Sequence, residues 1–254
     1  TDATSTKLKN LIGQHKLILI DEAQRVKNIG VTLKLFTDQI KDVQVIATGS
    51  SAFELSNVIN EPLTGRKYEY HLYPISMREL SKSFGWLEAN RLLEERIIYG
   101  MYPEIIINQT EKKTLLKEIT RSYLFKDILS YEGIRKPEIL EKLIVVLAAQ
   151  IGSEVSYNEL SNTVGIDKDT ITKYIDILEK AFIVFRLNPF SKNLRTEITK
   201  MRKVYFYDTG VRNALISNFN NLETRNDKGA LWENFLISEK LKMTSANDNI
   251  HELN

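Results

Sequence analysis

The sequence predicts an α/β fold that turns mostly α toward its C-terminus. Three observations carry this. Two short apolar runs, Leu17–Ile20 and Val43–Ala47, flank a helical stretch, the pattern of a β-α-β unit in a parallel sheet. From residue 76 to about 135, apolar residues recur at helical spacing between capping signals. From 136 to 207, two short helices joined by a Gly-containing turn precede two strand-like runs, as in a winged helix-turn-helix. The expected organisation is 1–75, a partial parallel-sheet core; 76–135, a helical lid; 136–207, a winged helix; and 208–254, a truncated α/β stub.

Composition sets the outer limits. A chain of 254 residues holds one large or two to three small domains. Hydrophobic residues make up 43% and charged residues 27%, enough for real cores under a water-facing surface. A net charge of +2 gives no global argument for nucleic acid, so any such signal must be local. The absence of cysteine excludes disulfides and thiolate metal sites and favours a reducing compartment, so a cytoplasmic location is expected. His15, His71 and His251 are too scattered for a zinc site. No apolar stretch approaches the roughly 18–20 residues of a membrane span, so no membrane partner is expected. The opening Thr1-Asp2-Ala3-Thr4-Ser5-Thr6 has no initiator Met and no signal-peptide pattern, and it reads as a fragment.

The chemistry concentrates in Lys16-Leu17-Ile18-Leu19-Ile20-Asp21-Glu22. Four apolar residues read as a buried parallel strand. The two acids then fall at the carboxyl edge of the sheet, where open α/β folds bind ligands. This is a Walker B arrangement: Asp21 would hold Mg²⁺ through water and Glu22 would orient the attacking water. The alternative is that the two acids cap the helix that follows. A helix is expected over about Thr32–Ile40, and Val43–Ala47 then runs into Thr48-Gly49-Ser50-Ser51. Ser50 or Ser51 would lie beside Asp21, within reach of a γ-phosphate or the attacking water, or would cap a helix over 52–60. Leu63-Thr64-Gly65-Arg66 leads into a strand-like Tyr68–Leu72. A phosphate-binding loop needs Gly-x-x-x-x-Gly-Lys-[Ser/Thr]. None of the 11 glycines is followed by lysine.

Leu-Ile-Leu-Ile-Asp-Glu-Ala-Gln, Ile-Ala-Thr-Gly-Ser-Ser, Leu-Thr-Gly-Arg and Leu-Tyr-Pro-Ile-Ser follow one another in order. Together they resemble AAA-type (P-loop) ATPases, in particular a prokaryotic subgroup with a C-terminal domain of unknown function. The resemblance implies that residues 1–75 are the C-terminal half of a P-loop parallel sheet. It puts Ser50 or Ser51 at the sensor-1 position. It puts Arg66 where such ATPases carry an arginine finger that serves a neighbouring subunit, so a homo-oligomer is implied; Arg66 as an ordinary surface residue is the other reading. ATP and Mg²⁺ are implied for the parent protein, and neither is expected to be bound by this chain alone.

In the middle segment, Ser76-Met77-Arg78-Glu79 is a capping box. A single helix is expected over Trp86–Tyr99, stopped by Gly100 with Pro103 beyond, and another from Thr110. In the third segment Pro137 suits a first helical position, Ser156-Tyr157-Asn158-Glu159 is a further capping box, and a helix is expected from Asp167 to about Ala181. Ile183–Leu187 and Val204–Tyr207 would form the wing hairpin. Between them, Lys192–Lys203 carries five bases (Lys192, Arg195, Lys200, Arg202, Lys203) against one acid. With Lys173 on the second helix, these are the candidate contacts to duplex DNA. That helix also presents Asp169 and Asp176, which oppose phosphate. A protein-docking or structural winged helix is therefore the alternative.

The last segment opens a helix at Gly229-Ala230-Leu231-Trp232-Glu233-Asn234-Phe235 that ends near Met243, before a patternless polar tail. In the resembling family this helix begins a restriction-endonuclease-like domain. Glu233 would be the single remaining acid of its two-metal site, so nuclease activity is not expected of this chain; Glu233 as an exposed residue on a packing helix is the other reading. The function read from the sequence is thus a fragment of a DNA-associated AAA-type ATPase that does not hydrolyse ATP alone. The alternative is a winged-helix DNA-binding or regulatory module on a non-catalytic α/β scaffold.

Overall fold

The computed structural model describes residues 4–49, 67–108, 110–121, 128, 134, 136–187 and 202–251. They form two units, Thr1–Tyr70 and His71–Asn254. The fold is α/β, mostly helical, with one small parallel and one small antiparallel sheet.

The first unit contains α1 (Ser5–Ile12), β1 (Leu17–Ile20), α2 (Ile29–Gln39) and β2 (Gln44–Ala47). Thr4 starts α1 by accepting a hydrogen bond from the Lys7 amide. β1 and β2 pair in parallel from Leu17 against Gln44 to Ile20 against Ala47. Alternation along a strand gives the sheet two faces. Ile20, Val45 and Ala47 pack on Ala23, Ile29 and Leu33. Ile18, Ile20, Val43 and Val45 pack on Ile12, Phe36 and Ile40. The opposite face, Leu17, Leu19 and Ile46, is 57%, 66% and 43% exposed. The strand expected to be buried on both faces is therefore buried on one, because α1 and α2 lie on the same side. The strand expected over Tyr68–Leu72 does not form: residues 67–72 are irregular, with Tyr68, Tyr70 and Leu72 exposed. No ladder partner for them is present among the described residues.

The second unit runs α3 (Met77–Phe84), α4 (Trp86–Arg91), α5 (Leu93–Tyr99), α6 (Pro103–Ile107), α7 (Lys112–Arg121), α8 (Pro137–Ala149), β3 (Glu154–Val155), α9 (Tyr157–Val164), α10 (Lys168–Lys180), β4 (Val184–Leu187), β5 (Arg202–Phe206), α11 (Thr209–Leu215) and α12 (Lys228–His251). Ser76 and Glu79 form the full reciprocal capping box of α3. Ser156 and Asp167 cap α9 and α10. Gly165 ends α9 at φ +80°, a left-handed conformation that costs glycine nothing. β5 is the central strand, antiparallel to β3 on one side and β4 on the other. One core gathers Leu143, Leu147, Leu160, Ile171, Ile175 and Phe206 among others; a second gathers Leu80, Ile97, Met101, Leu231 and Phe235.

Three expectations are corrected here. The helix expected over Trp86–Tyr99 is two helices, broken at Leu92. Arg202 and Lys203 do not belong to a wing loop; they open β5, where Lys203 faces Glu154 and Arg202 faces Val155. The two-residue β3 had no apolar period long enough to announce it. The tail after Met243 continues α12 to His251. Its first residues are held locally and at long range: Thr244 Oγ1 donates to the Lys240 carbonyl, and Ser245 Oγ to the Tyr73 hydroxyl.

Candidate functional site

Parallel pairing puts the ends of β1 and β2 side by side, and the ladder continues past both strands. The Thr48 amide donates to the Ile20 carbonyl at 2.8 Å, and the Ala23 amide donates to the Thr48 carbonyl at 2.8 Å. This brings Thr48 level with Asp21, and Thr48 Oγ1 donates to Asp21 Oδ1 at 2.5 Å. Both residues are exposed at the carboxyl edge of the sheet. Glu22 follows in the left-handed region, φ +51° and ψ +45°, an uncommon conformation for a side-chain-bearing residue. It sits at the N-cap of the short 3₁₀ turn Ala23–Arg25 and makes no capping bond with its side chain. Arg25 Nε lies 3.5 Å from Glu22 Oε2, an exposed pair worth little by itself. Capping therefore does not account for this pair of acids.

The donor set is hard oxygen: two carboxylates and a hydroxyl. That chemistry fits Mg²⁺, which is held by one or two carboxylates together with waters and substrate phosphates. Among the described residues no group of three or more His, Cys, Asp or Glu could hold a metal alone. Asp21 and Glu22 could contribute carboxylate oxygens to such a cation. Ser50, Ser51 and Arg66 lie outside the described residues.

In the second unit the candidate nucleic-acid face is partly neutralised from within. On α10, Asp176 lies 2.7 Å from Arg186 Nη2. Glu179 also engages that guanidinium and accepts the Arg186 amide at 2.8 Å. Burial works against the Arg186 charge, but Glu179 and Tyr157 outweigh it and hold its pKa above the usual arginine range. Lys173 stands exposed six residues after Asp167. Lys203, at the start of β5, donates to Glu233 Oε1 at 2.8 Å, and Tyr205 donates to the same oxygen at 2.6 Å. These two bonds lower the Glu233 pKa. Burial and Glu233 together raise that of Tyr205. The acid singled out on α12 is therefore tied to the antiparallel sheet. Lys192, Arg195 and Lys200 lie outside the described residues.

Residues that the sequence did not single out organise the joint between α5, α11 and α12. Asp208 caps α11 and accepts from the Val211 amide at 3.0 Å and from the Met101 amide at 2.7 Å. Burial raises its pKa, against the pull of those amides. Asn213 donates to the Ile98 carbonyl at 2.8 Å. Arg212 donates to the Ala148 carbonyl at 2.7 Å and pairs with Asp227, which also takes Arg225 at 2.8 Å. Asn234 exchanges two bonds with the Phe206 backbone, 2.7 Å and 2.8 Å, closing the end of β5 onto α12. The local signal that could have found them is Asp208-Thr209-Gly210 after an apolar run, a helix start that the sequence alone does not place against Gly100.

An AAA domain family matches residues 2–81, the stretch that holds the β-α-β unit with acids at its carboxyl edge, which relates this part of the chain to AAA-type ATPase modules. A second family, described as a domain of unknown function (DUF8612), matches residues 90–222. That match covers more than half of the chain, and the chain belongs to this family. An uncharacterized protein of Haemophilus influenzae is 28% identical over 204 residues, 76% of this chain and 51% of its own length. Uncharacterized proteins of Mycobacterium tuberculosis (26% over 245 residues, 93% and 53%) and Methanocaldococcus jannaschii (27% over 251 residues, 92% and 54%) are similar along nearly the whole chain. The chain spans about half the length of these relatives. No solved structure matches it.

Proposed function

We propose that this chain carries the metal-and-water half of an ATPase site, joined to a winged-helix module that contacts duplex DNA. The observation that carries the first part is the Asp21–Glu22 pair at the carboxyl edge of a parallel sheet, beside Thr48, in a segment matched by an AAA domain family. Asp21 would hold the Mg²⁺ of a bound ATP, and Glu22 would orient the attacking water. Ser50 or Ser51 senses the γ-phosphate, and Arg66 reaches a neighbouring subunit. With no Gly-Lys pair anywhere in the sequence, the residues that would cradle phosphate are not in this chain, and the chain alone does not turn ATP over.

Calorimetric titration with Mg-ATP tests this directly: submillimolar affinity with turnover in this chain alone sinks it. In the full-length protein, Glu22→Gln abolishes hydrolysis and leaves ATP bound; unchanged turnover refutes the assignment.

The helix–strand–helix–helix–strand–strand order of α8 to β5, with β5 central, supports the winged-helix reading. Arg186 draws off the negative charge of Asp176 and Glu179, which favours phosphate contact through Lys173, Lys192, Arg195, Lys200 and Arg202. The test is duplex binding as a function of salt: replacing Lys200 and Arg202 weakens binding equally on all sequences and flattens the salt slope by about one per charge removed. The bond from Lys203 to Glu233 favours the alternative, a winged helix acting as a structural or regulatory module on a non-catalytic scaffold. No duplex binding at low salt selects that alternative.

A further inference from the structure

We infer that Thr48 is a positioning residue for Asp21, setting the orientation in which that carboxylate meets its cation. The inference rests on the proposed role of Asp21 and adds a residue to it. Thr48 is tied on both sides of its own peptide: its amide bonds Ile20, immediately before Asp21, and its carbonyl bonds Ala23, two residues after. Those two backbone bonds fix the separation of the Thr48 and Asp21 side chains, and the hydroxyl closes it at 2.5 Å. A hydroxyl donating to an ionised carboxylate makes one of the stronger hydrogen bonds of proteins. A β-branched side chain is restricted at χ1, so the donor has fewer rotamers to choose among than an unbranched one.

The chemistry of the partner matters as much as its place. An exposed aspartate at a strand end has free rotation about χ1 and χ2, and a cation must then freeze it. Thr48 does this freezing beforehand by occupying Oδ1. Among the described residues, Oδ2 is left to accept a hydrogen bond from cation-bound water. A lysine or arginine in the place of Thr48 would also orient the carboxylate, but it would cancel the charge that attracts Mg²⁺. A neutral donor orients without neutralising.

The test uses the full-length protein unsubstituted and as Thr48→Val, Thr48→Ser and Asp21→Asn, and measures two things: Mn²⁺ affinity in the presence of a non-hydrolysable ATP analogue, by electron paramagnetic resonance, and ATP turnover as a function of free Mg²⁺. Mn²⁺ affinity falls about fivefold in Thr48→Val, and an unchanged affinity overturns the role of Thr48. Valine keeps the shape and the β-branch and removes the donor. The Mg²⁺ concentration for half-maximal rate rises about fivefold in Thr48→Val, the worth of one such bond. At saturating Mg²⁺ its rate recovers, and its KM for ATP stays within about twofold, since the ground-state contacts to nucleotide are untouched. Thr48→Ser restores most of the Mg²⁺ response. An unchanged Mg²⁺ requirement in Thr48→Val, with Asp21→Asn inactive, overturns the role of Thr48 and leaves that of Asp21 standing. Loss of turnover in Thr48→Val at every Mg²⁺ concentration, not rescued by serine, makes Thr48 merely structural and also overturns it. An active Asp21→Asn, or an unsubstituted protein without Mg²⁺-dependent turnover, overturns the underlying reading and this one together.

Discussion

Single residues in this chain are constrained by close approach more than by chemistry. Gly100 has φ +79°, and a Cβ built there lands on the Asp208 carboxylate. That carboxylate cannot move aside without giving up the amides of Met101 and Val211. Gly100→Ala therefore combines backbone strain with a lost buried cap, and should cost about 2–4 kcal/mol. A urea midpoint equal to that of the unsubstituted protein would show that the joint yields. Asp227 makes a pH-dependent contribution. Burial alone would raise its pKa, but Arg225 and Arg212 overcome that and bring it down to about 2. A carboxyl depressed in the folded state stabilises above its unfolded pKa, about 4, and loses that stabilisation as pH falls from there toward about 2. Stability of the unsubstituted protein should drop across this acid window more steeply than that of Asp227→Asn. Parallel curves would exclude the linkage.

At the scale of elements, α12 is joined to its neighbours both by the apolar packing of Leu231 and Phe235 and by short polar bonds. α12 reaches β5 through Asn234, the first residue of α3 through Glu239, and the segment before α3 through Lys242. Glu239 accepts the Met77 amide at 2.7 Å; Lys242 donates to the Ile75 carbonyl at 3.2 Å. Asn234 is fully buried. Asn234→Ala leaves the amide and carbonyl of Phe206 without partners at the end of the central strand, and about 2–4 kcal/mol of stability should be lost. Chemical denaturation followed by fluorescence of Trp232, two residues away, reads this. A change under about 0.5 kcal/mol would mean that water replaces the amide. The helices themselves were legible beforehand. Ser76 with Glu79, Ser156, Asp167, Pro137 and Gly165 are local signals, and each sits where its local rule places it. The break at Leu92 and the two-residue β3 were not legible, because neither carries a breaker residue or a period.

The whole molecule divides at residues 70 and 71. The second unit has two cores and the buried polar network of Asp208, Arg212, Asn213, Arg225 and Asp227; the first has a two-stranded sheet covered on one side. Chain 71–254 expressed alone should therefore keep the main cooperative transition of the full chain, within about 1 kcal/mol, since the core and network it needs are its own. Loss of that transition would show that the units fold as one. Among the described residues no helix is long and apolar enough to cross a membrane.

The sequence by itself determined the parallel pair, the place of Asp21 and Glu22 at its carboxyl edge, and most helix starts. Strand ends, caps and turn glycines are set by the next few residues, so they can be read locally. Only the tertiary structure decided that Thr48 is the neighbour of Asp21, that Arg202 and Lys203 lie in a strand, that Glu233 engages Lys203 and Tyr205, and that Asp208 requires glycine at position 100. These join residues 16 to 108 positions apart. Such pairs are created by register and burial, and neither is encoded in spacing along the chain.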